Sequence, residues 1–550
     1  MAQPLELQWS NGLFSTKTSF TTLGISHITS DDQGNIYMAG WFQGSVDLDP
    51  GAGEEIISSG KEGFAGGESF LVKYDEEGKY VFGFALNAII SDVALSDQNE
   101  VYVVGTFDTI VDFNPSTAVN NLNGIQDEVF VARYKANGEY MDGYSTGTGS
   151  HVSVGAAKLD SKNNLCIYGS FDDTVEFDHL SVSTTDNNGA LFLAKYSNFG
   201  SLQFVFDIES RTSNVSHDLT FDQDDNIFIT GSFLARSAGV TLDLDPGPGN
   251  TNLKGFGGID GFWAVYSPEG AYKEGYLYDG SVHNIALDAK GNIYISGSTV
   301  DSMDIDLGQS EHLIYTEPGG FDLYLAKYDS DLKLQYGMSV DGNSLNARMQ
   351  NLLVDDKENV YVSGHFRDTL DLIKGKEGGR LISTGLRDVY IAKFDKDGEL
   401  RFAHSFGSGS NDQSAHMSLD DKGNLWFAGQ FSDSINLDVE ETQSSILNPG
   451  DGGSVFVGMY TDGDAVGLSD LKEYTTNMYT ENGNLVIEFL GTPIDGQVNV
   501  FQLDGQKVYE GSHVFNNEIR IRLSHLPKEQ VLVVLASDGG KWTARKLYIR

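Results

Sequence analysis

Hydrophobic and polar positions alternate in short runs along the chain, and one of these runs recurs through most of it. The run Asn35–Gly40 is an asparagine followed by four largely apolar residues and a glycine. The same pattern returns at intervals of about 65 residues, a fixed period that indicates a repeat architecture. The closing glycines are Gly40, Gly105, Gly169, Gly231, Gly297, Gly364 and Gly429.

The residues around each glycine predict a β-hairpin. An apolar strand ending in aspartate, such as Asn284–Asp288, precedes a short turn and an aromatic-bearing strand, such as Asn292–Gly297. Asp and Asn side chains bond to nearby backbone amides, so their spacing here favours a tight turn. It does not favour a calcium loop, because the ligand alternation of such a loop is missing.

Two further strands complete each unit. Ser69–Tyr74 is an example of the third strand, and Leu400–Phe406, after a turn rich in Asp and Gly, is an example of the fourth. Each unit is therefore predicted to be a four-stranded antiparallel meander, and helical periodicity is absent. Large aromatic residues recur once per unit and are expected to fill the space between stacked sheets. Seven such sheets predict an all-β fold, a seven-bladed β-propeller.

The two ends of the repeat region complement each other. Leu5–Trp9 copies the fourth strand Leu332–Tyr336, although no first three strands precede it. The seventh unit has the reverse defect, because residues 462–467 make a poor fourth strand. The N-terminal strand is therefore predicted to complete the last blade, so that residues 1–468 form one closed ring without open sheet edges.

Residues 472–550 contain no copy of the repeat. Alternating strands bounded by Gly and Asn turns predict a small immunoglobulin-like β-sandwich there, as a second domain. A short connection of Asp470, Leu471 and Lys472 marks the boundary.

Charge and composition narrow the classes of partner. The chain has 79 acidic and 36 basic residues, a net charge of −43, which disfavours nucleic acid and anionic lipid as partners. A neutral glycan, a cation or a surface protein fits better. No apolar run is long enough for a membrane span, and the single cysteine, Cys166, excludes a disulfide framework and is expected to be buried.

Candidate site residues lie at the start of the innermost strand of each unit, four positions before the turn aspartate. Equivalent positions on seven strands converge at one height, and convergent polar groups in a concave site are the default binding hypothesis. Two histidines and a carboxylate on neighbouring blades would suit a transition metal or acid–base chemistry, whereas the plainer interpretation is a channel lining that bonds to ordered water. The predicted ligand-binding residues are His27, Asp92, Asp218, Asn284, Asn351 and His416, while Ala156 occupies the remaining position and His217 and His283 lie one residue earlier.

Acidic pairs follow the second strand of most units. Asp47 with Asp49, and Asp243 with Asp245, are alternate carboxylates on an extended segment, a geometry suited to Ca²⁺. The alternative is a plain loop opener whose charges prevent aggregation at sheet edges. Calcium is therefore one possible cofactor, and no catalytic residue is recognisable by motif.

Two stretches resemble known families. Asp288–Gly297 and Val46–Gly51 resemble secreted β-propeller repeat proteins of Bacteroidetes, and Val498–Val508 with Lys546–Arg550 is similar to the C-terminal sorting domain of type IX secretion cargo. The resemblance implies an extracellular or outer-cell-surface protein, delivered by the type IX machinery. Met1–Gln3 also matches what remains when a secretory leader is removed and an initiator methionine added.

Together these features predict a secreted or surface-displayed binding or adhesion module. The alternative is an extracellular enzyme, a lyase or hydrolase, that acts on polysaccharide with His27, His416 and Asp92 at the core of its site.

Overall fold

The computed structural model shows an all-β protein. It describes residues 5–15, 23–59, 68–124, 126–184, 189–208, 214–235, 240–251, 253–300, 302–308, 310–316, 321–342, 347–373, 379–439, 445–448, 453–461, 476–481, 484–489, 494–502, 507–515, 518–522, 531–538 and 541–548. These residues form 47 strands and no helix. Within them, no helix could therefore cross a membrane. The chain divides into two compact units, Met1–Gly463 and Asp464–Arg550.

The strands of the first half of the larger unit are β1 (Glu6–Phe14), β2 (Leu23–Ser30), β3 (Ile36–Phe42), β4 (Ser45–Asp47), β5 (Ile56–Ser58), β6 (Glu68–Tyr74), β7 (Tyr80–Leu86), β8 (Ile89–Leu95), β9 (Val101–Phe107), β10 (Ile110–Asp112), β11 (Asn121–Asn123), β12 (Asp127–Tyr134), β13 (Tyr140–Leu159), β14 (Leu165–Phe177), β15 (Leu180–Ser183), β16 (Ala190–Tyr196), β17 (Leu202–Ile208), β18 (Asn214–Phe221), β19 (Ile227–Ala235), β20 (Thr241–Leu242), β21 (Leu253–Lys254), β22 (Gly258–Tyr266) and β23 (Tyr272–Tyr278).

Its second half contains β24 (Ser281–Leu287), β25 (Ile293–Thr299), β26 (Met303–Asp304), β27 (Leu313–Ile314), β28 (Asp322–Tyr328), β29 (Leu334–Asp341), β30 (Arg348–Val354), β31 (Val360–Phe366), β32 (Thr369–Asp371), β33 (Arg380–Ile382), β34 (Asp388–Phe394), β35 (Leu400–Phe406), β36 (Gln413–Leu419), β37 (Leu425–Phe431), β38 (Ile435–Asn436), β39 (Ile446–Leu447) and β40 (Ser454–Thr461).

The larger unit is built from antiparallel meanders, one for each sequence repeat. Repeat 1 pairs β2-β3-β6-β7, and repeats 4, 5 and 6 pair β18-β19-β22-β23, β24-β25-β28-β29 and β30-β31-β34-β35. The first strands contact one another in the cyclic order β2, β8, β13, β18, β24, β30, β36 and back to β2. This arrangement is propeller-like, with each sheet presenting its first strand to the middle.

The core lies between consecutive sheets. Each hydrophobic cluster combines residues of two neighbouring repeats, and one cluster joins Met38 of repeat 1 to Trp426 of repeat 7. The recurring aromatic residues predicted as core are buried, as at Phe42, Phe366 and Tyr294. Cys166 is buried among them, so that expectation is also confirmed.

The N-terminal strand belongs to the sheet of repeat 7. β1 pairs antiparallel with β40, in the order β1-β40-β37-β36. Trp9 of β1 packs edge-on against Trp426 at a ring-centroid distance of 5.2 Å, and its indole Nε1 donates to the carbonyl of Glu76 at 3.0 Å. One strand therefore contacts both ends of the repeat region. The poor fourth strand expected over residues 462–467 lies outside the described residues.

Two features differ from seven separate four-stranded sheets. β13 runs for 20 residues, so it serves as the fourth strand of repeat 2 and then as the first strand of repeat 3, which joins the two sheets. Thr148 and Gly149 pair with the end of β14, so the strand runs past Gly147 and His151, whose φ angles are 65° and 51°. The acidic loops also form short extra hairpins, such as β4–β5 and β26–β27.

The turns between first and second strands follow one design. In repeat 1, Asp31 Oδ1 accepts the backbone amides of Gln33 and Asn35, while Oδ2 accepts the Asn35 side chain at 2.8 Å. Asp160, Asp288, Asp355 and Asp420 repeat this geometry. These bonds satisfy the amides of a tight turn, as the sequence predicts.

A lysine in the third strand was not foreseen by the sequence analysis. Lys195 Nζ lies 2.8 Å from Asp160 Oδ2, and both side chains are almost fully buried, at 2% and 1% exposure. Lys73 makes the corresponding contact with Asp31 at 3.3 Å. Buried charges persist only when paired, so this ion pair fixes the third strand to the turn.

The smaller unit contains β41 (Thr476–Glu481), β42 (Asn484–Phe489), β43 (Ile494–Gln502), β44 (Lys507–Phe515), β45 (Glu518–Arg522), β46 (Val531–Asp538) and β47 (Lys541–Tyr548). They form two antiparallel sheets, β41-β42-β45 and β44-β43-β46-β47. The expected boundary near Lys472 lies outside the described residues.

Candidate functional site

Every first strand is interrupted by a β-bulge at the same height. A bulge places an extra residue in one strand and re-aims the neighbouring side chain, and bulges are common beside functional sites. The predicted site residues lie within or directly after these interruptions. The register shifts fall at Ile25/His27, Ile90/Asp92, Val154/Ala156, Ser216/Leu219, Val282/Asn284, Met349/Asn351 and Gln413/His416.

His27 and Asp92, from repeats 1 and 2, form a hydrogen-bonded pair. Nδ1 of His27 lies 2.9 Å from Oδ1 of Asp92, whose side chain is 7% exposed against 28% for the imidazole. The other carboxylate oxygen accepts the backbone amide of Ala157 in repeat 3 at 2.7 Å. Burial raises the pKa of Asp92, but the His27 charge and these hydrogen bonds outweigh it and leave the pKa below its usual value.

Asp218, Asn284 and Asn351 make bonds of the same kind. Asp218 Oδ2 accepts the amide of Ile285 at 3.1 Å, and Asn351 Oδ1 accepts the amide of Met417 at 3.0 Å. Asn284 Nδ2 donates to the carbonyl of Met349 at 3.1 Å. Each of these side chains thus ties its own first strand to the first strand of the next repeat.

His416 completes the series between repeats 7 and 1. Its imidazole is hydrogen bonded to the backbone of Ile25, and its pKa is lowered to about 4, first by burial and then by the charge of His27. His416 is therefore neutral at pH 7. The six predicted residues are brought to one ring, and His27 with Asp92 is the pair in direct side-chain contact.

A second group lies at the same height in repeats 4 to 6. The imidazoles of His217 and His283 meet edge to face at 5.0 Å between ring centroids. Arg348, at the start of β30, stands opposite His365 in the ladder with β31. His365 Nδ1 lies 3.2 Å from Gln350 Oε1, which also accepts the amide of Ala415.

Burial keeps these histidines neutral as well. The pKa of His283 is lowered to about 3 by burial, His217 and Arg348. The pKa of His365 is lowered to about 4 by burial, Arg387 and Arg348, and that of His217 to about 4 by burial. Sequence reasoning noted His217 and His283 but missed Arg348 and His365, since neither position recurs as a charged residue in the other repeats.

The acidic pairs of the outer loops bind backbone amides. Asp47 Oδ1 accepts the amides of Asp49 and Glu55, and Asp49 Oδ1 accepts that of Gly51. Asp243 with Asp245, and Asp304 with Asp306, repeat this arrangement. One oxygen of each carboxylate is thus used to shape the loop.

A metal centre finds no support at either place. Among the described residues, no group of three or more His, Cys, Asp or Glu side chains is placed to hold a metal ion. The Ca²⁺ expectation stays a prediction.

Comparison with known proteins agrees with the coarse fold. No protein-family model matches the chain. An uncharacterized WD repeat-containing protein of Acanthamoeba polyphaga mimivirus is 22% identical over 495 residues, covering 74% of this chain and 35% of the viral protein. The chain therefore spans about a third of that relative.

Three solved structures are similar at low identity. A polysaccharide lyase has a TM-score of 0.43 at 9% identity and covers 83% of this chain and 99% of the lyase. An ulvan lyase has a TM-score of 0.35 at 10% identity, with 79% and 96% covered. Prolyl oligopeptidase B of Galerina marginata has a TM-score of 0.39 at 9% identity, with 96% and 56% covered.

Proposed function

We propose that the protein is a seven-bladed β-propeller that binds a glycan or a surface protein on the face where its first strands begin. The observation that carries the proposal is the series of seven bulges at one height. They gather polar side chains from repeats distant in sequence onto one surface, where inter-strand bonds such as Asp92 to Ala157 hold them in place. Preorganised polar groups are what a specific binding site needs.

Binding fits these groups better than catalysis because of the bonds that they make within the protein. Most of them already bond to a neighbouring strand, as Asn351 does to Met417. Groups used in this way shape a surface and orient its other members. The propeller assignment itself is supported by the cyclic contacts of the first strands and by β1 completing the sheet of repeat 7.

A polysaccharide panel in affinity electrophoresis tests the proposal. The full chain should be retarded by at least one polysaccharide, and the double variant His27→Gln/His416→Gln should lose that retardation while remaining folded. The matched control is His312→Gln, because His312 is exposed in the β26–β27 hairpin. Equal retardation of wild type and double variant would remove this face as the site.

A polysaccharide-acting enzyme is the second candidate, and the His27–Asp92 pair favours it. A carboxylate at 2.9 Å from Nδ1 orients the imidazole and fixes its tautomer, the arrangement a general base requires. Prolonged incubation with each retained polysaccharide, followed by assay of reducing ends and unsaturated products, tests this role. Turnover that disappears in His27→Gln would establish His27 as the general base. An unchanged polymer length would mean that the protein binds the polysaccharide without cleaving it.

We also propose that the smaller unit is an immunoglobulin-like sandwich that sends the protein outside the cell through type IX secretion. Its two antiparallel sheets of three and four strands, and the resemblance of its sequence to such sorting domains, support this role. Residues 464–550 fused to a reporter should direct the reporter outside a type IX secreting bacterium. Retention of the fusion in the periplasm would mean that the smaller unit is an accessory domain without a sorting role.

A further inference from the structure

Basic side chains gather on the proposed binding face, although the protein as a whole carries a net charge of −43. His217 and His283 are in ring contact at 5.0 Å, and Arg348 stands opposite His365 across two paired strands. His283 and Arg348 lie on β24 and β30, which are neighbours in the ring of first strands. Repeats 4, 5 and 6 thus build one cluster of three neutral imidazoles and one charged guanidinium.

Arg348 has no acidic partner in the part of the chain that the structure describes. Its recorded contacts are a 3.4 Å hydrogen bond from Nη1 to the carbonyl of Ala347 and the ring of Phe321, 5.8 Å from the guanidinium carbon. Other arginines pair with carboxylates, as Arg380 does with Asp371 and Arg401 with Asp395. Acidic residues outnumber basic ones by 79 to 36, so an exposed arginine without a carboxylate stands out.

Two acidic residues of these repeats, Asp218 and Asp388, form hydrogen bonds with groups other than Arg348. Asp218 receives Lys158 Nζ at 3.0 Å and the amide of Ile285. Asp388 is buried and accepts the amide and hydroxyl of Thr384. Among the described residues, no carboxylate therefore occupies the planar donor fork of this guanidinium. That fork matches a carboxylate or sulfate in two parallel hydrogen bonds.

The overall negative charge does not prevent such an interaction. Charges are screened over about 8 Å at physiological ionic strength, so an anion at the cluster responds mainly to the groups beside it. The neutral histidines add polar walls that carry no negative charge. Phe321, whose ring centroid lies 5.8 Å from the guanidinium carbon of Arg348, supplies aromatic surface for a sugar ring.

We propose that Arg348, opposite His365 and on the strand next to that of His283, holds the acid group of an anionic polysaccharide, either the carboxylate of a uronate or a sulfate ester. This inference rests on the proposed glycan-binding function and narrows it to an acidic class. It also explains why the cluster lies on the face with the bulges rather than on the outer strands. The ring residues orient the surface, and Arg348 recognises the charge.

Titration calorimetry with the full chain tests the inference, using polygalacturonate, dextran sulfate and neutral dextran as probes. The anionic probes should bind, and Arg348→Gln should weaken their binding about tenfold or more, the loss expected for a charge-assisted bidentate contact. Arg348→Lys should recover part of the affinity because it restores charge without the fork. Arg401→Gln, on the outer strand of the same repeat, is the matched control and should bind like the wild type.

The outcomes separate the two proposals. Preference for polygalacturonate or for dextran sulfate identifies the acid group. Binding of neutral dextran that Arg348→Gln leaves unchanged would overturn the acidic class but keep the glycan-binding function. Binding of neither anionic probe would overturn this inference, while the polysaccharide panel would still decide the glycan-binding function separately. Anion binding equal in wild type and Arg348→Gln would place the anion elsewhere and also overturn this inference. Melting temperatures of all variants establish that each is folded.

Discussion

Nδ1 of His27 lies 2.9 Å from Oδ1 of Asp92, one repeat further along the chain. The second oxygen of Asp92 accepts the amide of Ala157, in the repeat after that. One carboxylate therefore connects three consecutive first strands. The same logic links Asp218 to Ile285 and Asn351 to Met417, so the polar ring stabilises the fold as well as forming the binding face.

Asp92→Asn should lower the free energy of unfolding by about 1–3 kcal/mol, because the amide cannot serve both a protonated imidazole nitrogen and the Ala157 N–H as well as a carboxylate does. Urea unfolding measures this change. Asp224→Asn is the control, since Asp224 is exposed in a turn, and it should stay within about 0.5 kcal/mol of the wild type. Equal effects of the two substitutions would show that the connection across three strands contributes nothing to stability.

Asp160→Ala should be more damaging than a similar change in an exposed turn. It leaves Lys195 buried without its partner at 2.8 Å, and breaking a buried ion pair costs about 3–5 kcal/mol. Asp329→Ala removes bonds to the amides of Asp331 and Lys333 and should cost about 1 kcal/mol. Chemical unfolding of both variants decides the point, and a smaller loss for Asp160→Ala than for Asp329→Ala would refute it.

The buried histidines make stability depend on pH in a defined direction. His416 has a folded-state pKa of about 4, below the unfolded value of about 6.5, so its contribution is complete above pH 6.5 and is lost as the pH falls toward 4. Asp412 acts oppositely, because burial raises its pKa to about 6 and its contribution is lost as the pH rises from about 4 to 6.

Melting temperatures at about pH 7 and pH 5 test the direction predicted for the buried histidines. The wild type should melt lower at the acidic pH, and His416→Gln should show a smaller difference between the two values. His151→Gln is the control, because the side chain of His151 is 80% exposed. A difference in His416→Gln as large as in the wild type would mean that His416 is not buried neutral.

Deletion of residues 1–14 should destabilise the larger unit and promote self-association. It removes β1 from β40 and takes away the ring of Trp9 that packs on Trp426, leaving an open sheet edge. Light scattering and thermal unfolding report the two effects. Deletion of residues 1–4 alone should change neither, and a monomeric 15–550 chain with an unchanged melting temperature would contradict the expectation.

Local patterns made much of the fold predictable. The Asp-to-Asn turn spacing and the recurring aromatics act over a few residues, and the turn geometry of Asp31 and the burial of Phe42 agree with them. The long shared strand β13 was not predicted, because Gly147 and Gly149 look like a break, whereas the pairing of Thr148 and Gly149 with β14 continues the strand. Side-chain roles that depend on the next repeat, such as Asp92 with Ala157, also need the three-dimensional arrangement.

The cluster of histidines with Arg348 could not be predicted either, because its members meet only in the three-dimensional arrangement. Arg348 and His365 are unremarkable in sequence, since each occupies a position that other repeats fill with uncharged residues. Only the pairing of β30 with β31 sets them opposite each other, and only the packing of repeats 5 and 6 places the strand of His283 next to that of Arg348. The buried Lys195 was visible as a charge inside an apolar strand, a signal that the sequence analysis did not use.

Hydrogen-exchange mass spectrometry of the full chain, free and saturated with the polysaccharide that the panel retains most strongly, tests the central claim most directly. If the ligand binds where the first strands begin, protection should appear in peptides covering the starts of β2, β18, β24 and β30. Outer strands such as β7 and β35, and residues 464–550, should exchange at unchanged rates. Protection confined to the outer strands or to the C-terminal unit would contradict the claim that the bulged face binds the ligand.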